Sequence, residues 1–498
     1  MLYVLSLDRD VGFWDTAEMN TVPFILGLAH PTGYPSEILL GWLFSHLWMI
    51  GEVSYRLALL NAIEVAAASS LLCGLAVAER VDGFVAMLGA LAFAVTFPVW
   101  AHATHTDVFG LAIVLVSLTL VLVRQWWRTN ASGALFLAAL VAGAALGTQG
   151  AALLYLASPM ALIVVRSIRH PRLIRSSAVA LGIAIGTGVL VYSYMPIRAS
   201  FVVDRRLDPT LSLGLPPGRP FWDWGDPRTA ESLLTVVSGA QVAAPRALSS
   251  LASPERLATS ALFGWRELAD AAGTPVLVSL LLLALCARDW RLTLFLTAPA
   301  LAVTAFIANF PAESDPLRYY ILPLWGIYSA AALGVADVLA RLKRVTKTSL
   351  TVVYLACAVL IAFKAYSGRA LFVQRSDHLG FSYIHDVIEG TTSDSIIIAP
   401  WTYATPIAYA AYVQRALGSR VLVPGDAADM AGYMKAWLSR GRVYAISESV
   451  PSSRAFVAMY RRAFNVIPNS SHDPKLYELR MPEEKTTARR RLIPGKGT

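Results

Sequence analysis

Long apolar runs separated by short charged loops occupy most of the chain. Runs at about 55–78, 83–99, 108–123, 132–147, 151–165, 177–195, 274–287, 291–309, 320–340 and 349–366 approach the roughly 20 residues that carry a helix across a bilayer. Met1–Leu7 is apolar but far too short to span, and it lacks the basic start and cleavage site of a signal peptide. It is expected to be the tail end of a first transmembrane helix. Ile38–Ile50 is also apolar and short, and is expected to lie flat or re-enter. The pattern predicts a mainly α polytopic bundle of about eleven spans, the first truncated. Beyond Lys364 the periodicity changes. Ser395–Ala399, Arg420–Pro424 and Arg442–Ile446 read as short strands alternating with helical patterns at Ala404–Leu417 and Asp429–Ser439. The expected organisation is a membrane domain over 1–370, a small α/β domain over 371–482 and a disordered basic tail over 483–498.

Composition agrees with that pattern. Of 498 residues, 56% are hydrophobic and 15% charged, against about 25% charged in a soluble domain. The net charge of +9 raises nucleic acid as a partner, but its distribution excludes that reading. Arg124/Arg128, Arg166/Arg169/Arg172/Arg175, Arg288/Arg291 and Arg341/Lys343/Arg344/Lys347 sit in short loops. Counting alternate crossings puts all four sets on one side, the cytoplasm by the positive-inside rule. Residues 8–54, Ala101–Asp107, Gln149, the long loop 196–272, Asn309–Asp315 and everything after 367 then face away from the cytoplasm. Cys73, Cys286 and Cys357 all fall in apolar runs, so no disulfide framework or C-x-x-C metal site is suggested.

The outward side collects the candidate chemistry. Asp15, Glu18 and His30 come from the first loop, with Tyr34 in the turn His30-Pro31-Thr32-Gly33-Tyr34-Pro35. His102, His105 and Asp107 come from the next loop. Arg198, then Trp224 and Asp226 in Trp222-Asp223-Trp224-Gly225-Asp226-Pro227, lie in or beside the long loop, and Glu313, Asp315 and Arg318 precede a late span. A carboxylate can take the proton of an acceptor hydroxyl, and Arg can hold a phosphate. His102-x-x-His105 also suits a divalent metal, although surface histidines are common without one, and the sequence fixes no cofactor. Each group has a plainer reading as well. Asp15 and Glu18 can serve a helix N-terminus, the Trp residues can anchor at the interface, and Arg318 can snorkel to headgroups.

These motifs resemble the DUF2723 membrane proteins, a group that includes bacterial proteins and a eukaryotic endoplasmic-reticulum protein O-mannosyltransferase. The resemblance rests on Asp15-Thr16-Ala17-Glu18, His30-Pro31-Thr32-Gly33-Tyr34-Pro35, Asn61, Tyr194-Met195-Pro196-Ile197-Arg198-Ala199, Trp224-Gly225-Asp226-Pro227 and Arg318-Tyr319-Tyr320 with Leu322-Pro323. It covers roughly 1–370. It departs at Asp107-Val108-Phe109, where the family pattern is Glu-Val-Tyr, and at Gly147-Thr148-Gln149-Gly150, where relatives often carry a His.

The resemblance implies a glycosyltransferase of the C-type fold. Such an enzyme moves a sugar, with mannose the candidate, from a polyprenyl-phosphate carrier to a protein, glycan or lipid acceptor outside the cytoplasm. Asp15 would be the catalytic base with Glu18 in support, and Arg318 or Arg198 would hold the donor phosphate. His30, Tyr34, His102, His105, Asp107, Trp224 and Asp226 would contact acceptor or sugar. Two other classes fit a polytopic chain: a lipid or glycan transporter or flippase, and a non-catalytic scaffold. A transporter is expected to have paired repeats and broken helices near the midplane; no clear internal repeat is evident and the acids cluster at one face.

Overall fold

The computed structural model describes residues 1–242, 253–307, 316–341, 347–447 and 475–479. The expected tail at 483–498, and Glu313 and Asp315 in the loop before Arg318, lie outside the described residues.

The chain begins with the short helix α1 (Leu2–Leu5), followed by α2 (Trp14–Ile25) and α3 (Pro35–Leu47). Next come α4 (Val53–Ala78), α5 (Gly83–Ala94), α6 (Phe97–Ala103), α7 (Phe109–Thr129), α8 (Ser132–Leu146), α9 (Ala152–Arg169), α10 (Ile174–Tyr192) and α11 (Tyr194–Asp204). After α12 (Ala230–Val237) and α13 (Pro254–Ala272) the bundle closes with α14 (Thr274–Leu285), α15 (Trp290–Ile307), α16 (Ile321–Arg341) and α17 (Lys347–Ser367). Among the described residues five helices are long and apolar enough to cross a membrane, or seven if two bent pairs are each one span. This is the architecture of a multi-pass membrane protein, and the length criterion counts fewer spans than the expected eleven. One reason is local: the run at 83–99 breaks by 70° between α5 and α6, where Thr96 and Pro98 start a new helix. The apolar run after residue 35 forms the 13-residue α3, too short to cross.

Packing sorts the helices into inner and outer members. α16 is buried along most of its length, and Trp325 on it donates to the Ala68 carbonyl of α4 at 2.8 Å. Gly326 and Gly334 let α16 press on its neighbours, because a Cβ there would lie 2.1 Å from the Leu296 carbonyl and 1.7 Å from that of Leu283. Small residues at such crossings are the usual device of membrane helices, where backbone approach replaces hydrophobic drive. α10 is the opposite case, presenting Ile185, Val189 and Leu190 outward, as a lipid-facing helix does.

Among the described residues, Arg124, Arg288 and Arg341 of the short basic loops lie close together. Arg124 bridges Glu79 at 2.9 Å and Asp289 at 3.1 Å, Arg288 approaches Asp337, and Arg341 donates to the Cys286 carbonyl.

The last part carries α18 (Leu379–Gly390), β1 (Ile396–Ala399), α19 (Trp401–Ala408), β2 (Val421–Pro424), α20 (Ala431–Arg440), β3 (Val443–Ser447) and β4 (Lys475–Leu479). The sheet order is β2-β1-β3-β4, with β1 parallel to both neighbours and β4 antiparallel to β3. Ile397 and Ile398 are fully buried, as expected of a parallel strand covered on both faces. This part is joined to the bundle by a continuous apolar core that runs from Val22 of α2 through Ala404 and Tyr409 to Ile397. A polar tie adds to it: Asp10 accepts the Gly380 and Phe381 amides at 2.6 and 3.0 Å, capping the start of α18.

Candidate functional site

The site starts from the first turn of α2. Phe13 is extended at the N-cap, so α2 enters with Asp15 in its first turn and Glu18 one turn on, on the same helix face. An acid in a first turn complements the helix dipole, but here both side chains are spent on tertiary partners. Glu18 is completely buried and contacts Nδ1 of His30, while its other oxygen accepts the His30 backbone N–H at 3.2 Å. Asp15 accepts from Nη1 of Arg318 at 2.7 Å and lies 3.8 Å from Nε2 of His30. Residues 303 positions apart are thereby joined in one ion pair.

The turn that places His30 is built from its own sequence. Gly33 has φ +89°, and a Cβ there would lie 2.6 Å from Cε of Met195, so glycine serves both backbone and packing. Tyr34 follows in the left-handed region and starts α3. Its hydroxyl lies 2.9 Å from both the Pro31 carbonyl and Nε2 of His30. The hydroxyl has one proton; given to Pro31, it leaves its oxygen to accept from Nε2. With Nδ1 facing Glu18, both ring nitrogens then donate and the imidazole is cationic. Electrostatics points the same way. Burial opposes the charge on His30, but the Glu18 and Asp15 carboxylates outweigh it and raise its pKa above 6.5. Asp15, Glu18, His30 and Arg318 thus form a four-membered group with balanced charge.

Aromatic rings cover this group. The His30 ring lies 5.4 Å from Trp401 and 6.1 Å from Trp224, which meet each other edge-on at 6.0 Å. Arg318 stacks over Phe109 and Tyr319, 5.5 and 5.7 Å from their centroids. Trp401 opens α19, in the segment expected to be a separate domain, and so escapes a motif-based reading. A Pro400-Trp401 pair directly after a buried strand is its one sequence signal, since ligand-facing residues often follow strand C-termini in parallel sheets.

The other expected residues divide. His102, His105 and Asp107 come together in a second cluster, from the last turn of α6 to the start of α7. Nδ1 of His102 lies 2.7 Å, and Nε2 of His105 3.7 Å, from Oδ2 of Asp107. Burial works against the Asp107 charge, but hydrogen bonds from the two histidines outweigh it and hold the carboxyl well below its usual range. Arg198 is engaged in structure. It donates to the Leu26 and Ile25 carbonyls at the C-terminus of α2, closing backbone groups that the helix leaves open. Asp226 forms a fork with Arg228 two residues on. Asn61, carried in the family pattern, braces the second cluster by donating to the carbonyls of His102 and His105.

Comparisons with known proteins set this geometry in context. Residues 15–172 match the family model of the Protein O-mannosyl-transferase TMEM260 N-terminal domain. That stretch begins at Asp15 and includes Glu18, His30, Tyr34 and the His102–Asp107 cluster, but not Trp224, Arg318 or Trp401. Protein O-mannosyl-transferase TMEM260 of Mus musculus is 24% identical over 426 residues, which is 80% of this chain and 57% of that protein. The chain therefore spans little more than half the length of this curated relative. Among solved structures, ArnT from Cupriavidus metallidurans aligns at 14% identity with a TM-score of 0.49, over 96% of this chain and 95% of the apo structure. ArnT bound to undecaprenyl phosphate gives the same score over 96% of each chain. The Archaeoglobus fulgidus oligosaccharyltransferase complex with Zn and sulfate gives 0.44 at 14% identity, over 87% of this chain and 64% of that one.

Proposed function

We propose that this chain is a membrane glycosyltransferase of the C-type fold. In this reading it moves a sugar, mannose being the first candidate, from a polyprenyl-phosphate donor to an acceptor on the extracytoplasmic side. The observation that carries the reading is the Asp15–Arg318 pair at 2.7 Å, a carboxylate and a guanidinium held ready beside a buried His30–Glu18 support. The kinship to an O-mannosyl-transferase over residues that include Asp15 supports the choice of chemistry.

The geometry suggests an order of events. The donor phosphate, with the stronger charge, competes with Asp15 for Arg318. Arg318 turns to the phosphate and neutralises the charge that grows on the leaving oxygen as the sugar–phosphate bond breaks. Asp15, released from its partner, accepts the acceptor hydroxyl's proton as that oxygen bonds to the anomeric carbon. His30 keeps positive charge beside Asp15 and orients it, while Trp224 and Trp401 offer faces on which a sugar ring can stack. The positive-inside rule, applied to the short basic loops, supports an extracytoplasmic site.

The test is transfer by the purified full chain in liposomes, using polyprenyl-phosphate-linked mannose and other sugars with peptide, glycan and lipid acceptors. Product formation that Asp15→Asn reduces by about 10²–10⁴-fold supports the reading. A fully active Asp15→Asn protein removes Asp15 from the role of base, and no transfer from any such donor overturns the proposal.

A further inference from the structure

We propose that His102, His105 and Asp107 form a divalent transition-metal site, for which Zn²⁺ is the best match. This stands apart from the sugar-transfer reading, because it concerns a different set of side chains and is read out by metal binding alone.

From the last turn of α6 and the turn that follows it, two imidazoles bring nitrogens to a single carboxylate oxygen. Oδ2 of Asp107 lies 2.7 Å from Nδ1 of His102 and 3.7 Å from Nε2 of His105. The three ligand atoms all lie within 4.8 Å of one another. A zinc ion bound about 2.0–2.1 Å from each ligand atom needs those atoms about 3.3 Å apart in a tetrahedron. The close contact must open and the wider ones close by modest side-chain rotation. Two imidazoles and one carboxylate, with a fourth position open, are the donor set that Zn²⁺ and its neighbours take.

The cluster is also braced as a metal site is. Oδ1 of Asp107 is occupied by the Val108 amide at 2.6 Å, which leaves Oδ2 turned to the histidines. The Asn61 side-chain amide donates to both histidine carbonyls, at 2.7 Å for His105, so one group from α4 fixes the two ligand-bearing residues together. Outer-shell contacts of this kind commonly set metal affinity. Burial grades in the sense a site needs: the side chains of His102 and Asp107 are 6% and 4% exposed, and that of His105 is 23% exposed, giving an entry. Charge nearby is mixed, since Asp8 acts on His105 and Arg318 on Asp107. On binding, the metal replaces the proton that His102 shares with Asp107, and that proton leaves to solvent.

A bound ion would pin the α6–α7 turn, and with it Phe109, the ring under Arg318. The assay uses the full chain in detergent, stripped with chelator, dialysed and loaded with Zn²⁺. Wild type is expected to retain about one zinc per chain by elemental analysis after gel filtration, and Co²⁺ in its place to give visible ligand-field bands. His105→Ala, at the most exposed ligand, is expected to lose zinc retention and the cobalt bands, whereas His46→Ala retains both. Asn61→Ala is expected to weaken zinc binding by about 10–100-fold. Wild type without retained zinc at micromolar metal overturns the proposal, and so does retention unchanged in His105→Ala. If Asp107→Asn fails to fold, His105→Ala and the cobalt spectrum carry the decision.

Discussion

Replacing Glu18 by Gln is the sharpest probe of how the site holds its charge. Glu18 is fully buried and meets both the imidazole and the backbone N–H of His30. Gln keeps the shape and one acceptor oxygen but removes the charge. A hydrogen bond to a charged group is worth about 1.5–3 kcal/mol, and breaking a buried pair outright costs about 3–5 kcal/mol. With part of the bonding retained, the expected loss near pH 6 is about 2 kcal/mol, or roughly 30-fold in the folded-to-unfolded ratio. The loss should depend on pH in a set direction. His30 has a folded pKa raised above its unfolded 6.5, so its contribution is complete below about pH 6.5 and fades as pH rises through the folded value. Glu18→Gln should therefore cost most in mildly acidic buffer and least in alkaline buffer. Thermal unfolding of wild type and variant in detergent from pH 5.5 to 9.5 measures this. A penalty that is flat with pH, or larger at pH 9.5, refutes a cationic His30 held by Glu18.

Other changes test neighbouring parts of the argument. Arg318→Ala should raise the KM for donor at least tenfold and leave that for acceptor near wild type; equal increases in steady-state transfer assays count against the phosphate role. Its stability cost should stay at about 0.2–1 kcal/mol, since both partners are partly exposed. Gly33→Ala forces a side chain into φ +89° and onto Met195, and should cost about 1–3 kcal/mol by thermal unfolding. Asp10→Ala uncaps α18 and should cost about 1–2 kcal/mol, with faster protease cleavage around 377–382. Burial pushes the Asp223 carboxyl up to about 6, so the folded state holds its proton more tightly than the unfolded one. The difference in stability between Asp223→Asn and wild type should therefore shift in favour of the variant as pH rises from 4 to 7.

The long spans were legible because periodicity and length depend on local composition alone. α4, α8 and α10 begin and end within three residues of the expected runs, and the three expected strands match β1, β2 and β3. The bend between α5 and α6 was not legible, since an apolar run reads the same straight or broken. At the site, Asp15, Glu18 and His30 could be grouped because they share one loop. Arg198 and Arg318 looked equivalent in sequence, both being arginines at the edge of a span. Their difference is tertiary: one faces the open carbonyls of α2, the other the Asp15 carboxylate. Trp401 was hidden for the same reason, because only folding brings the segment after β1 against the turn at His30.

Acidic side chains near a bilayer are tolerable only where something compensates them, and the two clusters solve this differently. Around Asp15 the compensation is ionic: two carboxylates face a guanidinium and an imidazolium, so the group can stay charged in a partly dry rim and still exchange partners when an anion arrives. Such exchange is cheap because no net charge needs to be created, only re-paired. Around Asp107 the compensation comes from hydrogen bonds, with one carboxylate fixed by a backbone amide and two imidazoles while an asparagine holds their backbone. That arrangement holds the backbone of the turn, through Asn61 and the Val108 amide, and leaves only side-chain adjustment for a bound ion. Phe109, two residues after Asp107 and under Arg318, links the two clusters, one suited to trading a counter-ion and the other to keeping the turn in place.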